Sequence, residues 1–121
     1  MISETRRALS ATLTTELGFT VHPVLDERLS PPVGFIIPGS PFVEGGATFG
    51  AFGLRLECHL VFQGTNNRAA SDAIDDAVET ALVTLVNAGW SVESASEPFL
   101  MTHAGSNYMA VQLSTIKDIH L

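Results

Sequence analysis

Residues 51–63 read A-F-G-L-R-L-E-C-H-L-V-F-Q, and their alternation decides what kind of fold the chain adopts. Leu54, Leu56, Cys58, Leu60 and Phe62 fall on one side of an extended chain, and Arg55, Glu57, His59, Val61 and Gln63 on the other. A strand with one wholly apolar side needs a second layer to cover that side. The residues that follow supply one. G-T-N-N-R-A-A-S-D-A-I-D-D-A-V-E-T-A-L-V-T-L-V-N-A-G (64–89) carries an apolar helix face made of Ala70, Ala73, Ile74, Ala77, Ala81, Leu82, Leu85 and Ala88. Asn67 is the expected N-cap, Asp72, Asp75 and Asp76 suit the early turns, and Gly89 is the expected stop. The small alanines let this helix approach a sheet closely. Val83 falls on the same side as Asp72, Asp76 and Glu79, with Val86 close by. That side therefore starts acidic and turns apolar, and either the segment 18–32 or a neighbouring subunit covers the two valines.

Further along, Trp90–Ala95 and Phe99–Thr102 precede the turn-forming cluster A-G-S-N, and Tyr108–Ile116 follows. These segments predict an antiparallel hairpin broken near Pro98. At the other end, Leu9, Leu13 and Leu17 repeat every four residues and predict an amphipathic helix, with Ser3 as N-cap, Glu4 at its positive end and Gly18 as its stop. Arg6 and Arg7 lie near that positive end, where the helix dipole disfavours them, so they serve a contact or are simply solvated. Prolines at 23, 31 and 32 forbid a helix in the next stretch, and Val33–Ile37 predicts a short strand bounded by Pro32 and Pro38. The element order αββαββ gives one α+β domain spanning 1–121: a single four-stranded, mainly antiparallel sheet with both helices packed on one face. The other face is expected to be mixed polar and open to solvent or to a partner.

Between the first two strands lies an extended glycine-rich loop at 39–53, G-S-P-F-V-E-G-G-A-T-F-G-A-F-G. Glycine content alone suggests a phosphate cradle, but the context refuses it. A P-loop ends in Lys-Ser/Thr and opens a helix, and a dinucleotide fingerprint also opens a helix. This loop enters a strand, has no lysine, and carries Glu44. Its Phe42, Val43, Phe49 and Phe52 are too apolar for a free solvated tip, so some are expected to anchor on their own domain or on another subunit.

The composition narrows the function classes. The chain of 121 residues is 45% hydrophobic and 16% charged, enough for one real core. Its net charge is −7, Lys117 is its only lysine, and no basic stripe exists to track phosphates, which argues against sequence-specific nucleic-acid binding. No apolar run approaches the roughly 20 residues that span a bilayer, and the first residues lack the apolar core of a secretory signal, so an intracellular protein with no membrane partner is expected. Cys58 is the single cysteine and has no internal disulfide partner. Glu57-Cys58-His59 resembles a thiol beside its base, yet successive strand residues point to opposite faces, so Cys58 is expected to be a buried structural thiol. His22, His103 and His120 lie in different segments without metal-ligand spacing. Asp72, Asp75, Asp76 and Glu79 share a helix face, where they act as an acid–base or cation site or, more simply, as a solvated surface. No catalytic residue, cofactor or metal is expected.

The layout as a whole resembles the tail terminator proteins of long-tailed bacteriophages. The resemblance covers most of the chain and is carried by the order of elements, by V-G-F-I-I-P (33–38), and best by R-L-E-C-H-L-V-F (55–62) followed by R-A-A-S-D-A-I-D-D-A-V-E-T-A-L-V-T-L (68–85). It implies a structural virion protein rather than an enzyme. Such proteins form a homo-oligomeric ring, usually a hexamer, that caps the tail tube protein, stops its polymerisation and presents a docking surface to the head-side connector. DNA passes through the channel without sequence-specific binding. The implied location is the head-proximal end of the virion tail, after assembly in the host cytoplasm. Subunit or partner contacts are then expected at Phe42, Glu44, Phe49, Phe52, Val83, Val86, Arg6 and Arg7. The alternatives are another head–tail connector or neck protein, a small non-viral interaction domain, or a small enzyme using His59 or the helix carboxylates.

Overall fold

The computed structural model describes residues 1–25, 30–46, 48–63 and 68–121, with no side-chain description at 68 and 69. Its elements are α1 (Ile2–Leu17), β1 (Val21–His22), β2 (Val33–Gly45), β3 (Ala51–Gln63), α2 (Arg68–Asn87), β4 (Ser91–Ala95), β5 (Phe99–His103) and β6 (Ser106–His120). The helix expected to be capped by Ser3 is capped two residues earlier, by Met1, and Ser3 lies inside it. The expected N-cap Asn67 lies outside the described residues.

The sheet corrects the one expected from sequence. It has six strands rather than four and is mixed, in the order β1-β2-β3-β6-β4 with β5 also on β6. The parallel strand β1 is only two residues long and is a tertiary product. Ser10 Oγ donates to Val21 O, and Val21 N donates 2.9 Å to Thr14 Oγ1, so α1 holds β1 against β2. Gly34 admits it, since a Cβ there would lie 3.0 Å from Val21 Cγ2 and 3.2 Å from His59 O.

The second correction concerns the loop at 39–53, most of which is strand. β2 does not stop at Pro38 but runs on to Gly45, and β3 begins at Ala51. Gly34 N–H points away from β3, to Thr20 O. By strand alternation position 38 points the same way, so the N–H that Pro38 lacks is missing only at an open edge. Between Pro38 and Val43 the register shifts: residues 39–42 stand opposite the single residue Arg55, forming a wide bulge.

The C-terminal strands split one expected strand into two. β4 pairs with 113–116 and β5 with 106–110, along the same edge of β6, with the break at Ser96–Pro98. The tight turn between β5 and β6 places Ala104 at φ 51 and Gly105 at φ 82, as a two-residue primed turn requires.

Both helices lie on one side of the sheet. Leu9 and Leu13 of α1 and Ile74, Ala81 and Leu85 of α2 pack over Leu54, Leu56, Cys58 and Leu60 of β3 and Val111 and Leu113 of β6. Burying each such leucine stabilises the fold by about 1.5–3 kcal/mol. Thr115, also buried there, donates to Leu56 O at 2.9 Å and so leaves no unpaired hydroxyl. Gly18 ends α1 at φ 78. At the end of α2, Trp90 N bonds Leu85 O at 2.9 Å and Gly89 N bonds Val86 O at 3.1 Å, a Schellman closure around Gly89 at φ 87. Lys117 Nζ reaches Ala88 O at 3.3 Å and lies 5.6 Å over the Trp90 ring, placing a cation at the negative end of α2.

Candidate functional site

The hairpin joining β2 to β3 carries the least buried apolar side chain of the described residues, Phe49 at 107% relative exposure. Its tip is stiff. Gly46 N donates 2.9 Å to Ala51 O, Ala51 N donates 3.1 Å to Thr48 O, and Gly50 turns the chain at φ 82. A Cβ at position 46 would lie 2.7 Å from Ala51 O, so glycine is needed there. The other two phenylalanines of this segment behave differently. Phe42 and Phe52 are half-buried against the helix-side core, and the Arg6 guanidinium sits 5.8 Å over the Phe42 ring. Arg7, its neighbour, is exposed.

Glu44 turns toward the bulge while staying partly exposed. Arg55 Nη1 lies 2.8 Å from Glu44 Oε1, while Arg55 Nε donates 3.0 Å to Glu93 Oε1 and Nη2 donates 3.3 Å to Glu93 Oε2. One guanidinium thus ties β2, β3 and β4 together across the face away from the helices. The two carboxylates hold its proton more tightly than usual, Glu93 first and Glu44 second. The wide bulge makes room for it, because a Cβ on Gly39 would stand 2.7 Å from Arg55 Cβ.

Next along the same face, the His59 ring stacks on Phe35 with centroids 4.9 Å apart and 13° between planes. Its Nε2 lies 3.5 Å from Glu57 Oε2, which accepts a 2.7 Å hydrogen bond from Gln112 Nε2. Burial pushes His59 below the ordinary histidine value, and Glu57 opposes that shift. Beyond it lies a second apolar cluster: Val33, Phe35, Val61 and Ala110 are buried, ringed by the half-buried Ile37, Phe99, Met101 and Tyr108. This face is therefore not simply mixed polar. The uninterrupted V-G-F-I-I run is the signal of it in the sequence, since a strand apolar on both sides has both sides covered.

Behind His59, Cys58 points the other way into the helix-side core with no exposed surface. Burial alone pushes its thiol up to about 12, far from a reactive thiolate. Val83 and Val86 on α2 are exposed at 61% and 62%, so the described residues of 18–32 do not cover them. Asp72, Asp75, Asp76 and Glu79 line an open groove of about 690 Å³ between α2 and the β4–β5 break. Among the described residues no three His, Cys, Asp or Glu side chains are grouped to hold a metal ion, and no helix is long and apolar enough to cross a membrane.

The expected contact residues thus separate into three groups. Phe42, Phe52, Arg6 and Glu44 have partners within their own chain; Arg7 is exposed at the start of α1; Phe49, Val83 and Val86 are apolar and uncovered. Arg55, Glu93, Gln112 and the second apolar cluster are additions that no strand-by-strand reading brings together. Compared with protein-family models and with curated proteins, the sequence matches none.

Proposed function

We propose that this chain is the subunit of a closed homo-oligomeric ring that terminates a phage tail tube and presents a docking surface to the head. One observation carries the reading. Among the apolar side chains left bare are Phe49 at the hairpin tip and Val83 with Val86 on α2, on separate parts of the molecule, with Leu100 of β5 exposed as well. Two different patches on one chain favour head-to-tail contacts between copies, which close into a ring when the rotation allows. The sequence likeness of residues 33–38, 55–62 and 68–85 to tail terminator proteins supports the choice of ring. The acidic side of α2 and the net charge of −7 suit a channel that DNA must traverse without sticking.

The test is to add the protein to purified tail tubes and image them. A ring-shaped cap at one tube end, with arrest of further tube growth, is the expected outcome. Binding to the head-side connector with no binding to tubes would favour the other neck-protein reading, and binding to neither would contradict both.

A further inference from the structure

The exposed Phe49 has a counterpart at the opposite end of the molecule. α1 and α2 are antiparallel neighbours, and between the end of α1 and the start of α2 runs an open groove of about 670 Å³. Its floor is the edge-to-face pair Phe19 and Phe62, 6.2 Å apart. Leu17 and Pro32 bound it on one side; on the other the small side chains of Ala73 and Ala77 keep the wall low, and Asp76 lines it as well. Ala73 belongs to the apolar face read from sequence, yet it is exposed.

Phe49 cannot reach its own groove. The tip stands at the start of β3 and the groove at its end, and a strand of 13 residues spans about 40 Å. A Phe49 ring seated in this groove therefore comes from another copy. Charge points the same way. A chain with net charge −7 repels itself. The tip, residues 45–51, is G-G-A-T-F-G-A and carries no charge, so it approaches a second copy with the least repulsion.

We propose that Phe49 of one copy inserts into the groove between α1 and α2 of the next. This rests on the ring reading and names its contact. A buried phenylalanine contributes about 200 Å², against about 800 Å² per partner in a stable interface. The neighbouring groove between the same helices, lined by Thr80, Val83 and Ala88 together with Glu16 and Glu79, supplies further surface. Thr80 lines both grooves. Because the contact is apolar between like-charged copies, added salt strengthens it.

Thr48 and Ala73 are exposed, and Cys58 is buried, so the full chain accepts an engineered pair of thiols on an inert background. The double variant Thr48→Cys/Ala73→Cys, oxidised at several concentrations, is expected to give a ladder of covalent multimers that ends at one size. Each single variant gives no ladder, and a mixture of the two gives heterodimers and nothing larger. Adding Phe49→Ser to the double variant is expected to reduce cross-linking at least tenfold, with the unfolding midpoint unchanged as the check on folding. Multimers seen by light scattering without double-variant cross-links would overturn this contact and leave the ring standing. A ladder without an upper limit would support the contact and overturn closure. Neither multimers nor cross-links at any concentration would overturn the contact and count against the ring as well.

Discussion

Under the helices, Leu54, Leu56, Cys58 and Leu60 have no exposed surface, and the hydroxyl buried beside them is satisfied by Leu56 O. On the bare side of the same strand, Arg55, Glu57 and His59 reach sideways to β2, β4 and β6 through an ion-pair clamp, a hydrogen bond and a ring stack. The helix side holds the fold by burial, which is non-directional and large. The bare side fixes which strand lies beside which, through directional contacts that are individually small. Only at the Val33–Phe35–Val61–Ala110 end does the bare side acquire a core of its own.

Substitutions on β3 separate the two sides, beginning with the largest effect. Leu56→Ala is expected to cost about 3–4 kcal/mol in denaturant unfolding, because the close-packed helices cannot collapse onto the cavity. Val61→Ala, equally buried but on the bare side, is expected to cost about 1–2 kcal/mol, since the half-exposed ring around it relaxes inward. Equal costs at the two positions would mean that the bare side is a second full core, and the contrast would fail.

A smaller effect is expected with pH. Burial lowers His59 from its ordinary 6.5. As pH falls below about 6.5 the unfolded chain takes up this proton before the folded one, so stability decreases through that window. The groups facing the ring are Glu57 and Gln112, with Phe35 on its flat side. In His59→Phe the decrease between pH 7 and 5 is expected to be shallower than in the parent chain; an unchanged slope would show that His59 does not titrate differently on folding. Smallest of all, Phe49→Ser is expected to move folding stability by no more than about 0.5 kcal/mol, as for a surface side chain. A larger loss would place Phe49 inside the fold after all.

How much of this was legible in the sequence depends on how local the cause was. β3 has the bounds its alternation indicates, and Gly18 and Gly89 end their helices, because strand pleat and helix closure act over a few residues. β1 was not legible, since two residues become a strand only when Ser10 and Thr14 of α1 hold Val21 in place. Pro38 was misread as a stop because its meaning depends on which edge of β2 is open. The three phenylalanines of the glycine-rich segment look alike in sequence. What separates Phe42 and Phe52 from Phe49 is the bulge opposite Arg55 and the tight turn at Gly50, which place two rings against the core and the third at the tip. Arg55 itself offers no local sign that it bridges residues 11 positions upstream and 38 downstream, at Glu44 and Glu93.

The proposal that a chain closed in its core docks on another copy through its tip is tested most directly by the mass of the protein in solution. Light scattering should be read across a wide concentration range, at low and high salt, for the parent chain and for Phe49→Ser. The expected result is one multimer of fixed mass for the parent, favoured by salt, and a folded monomer for Phe49→Ser. A parent chain that stays monomeric throughout, or a Phe49→Ser chain that assembles as readily as the parent, would contradict it.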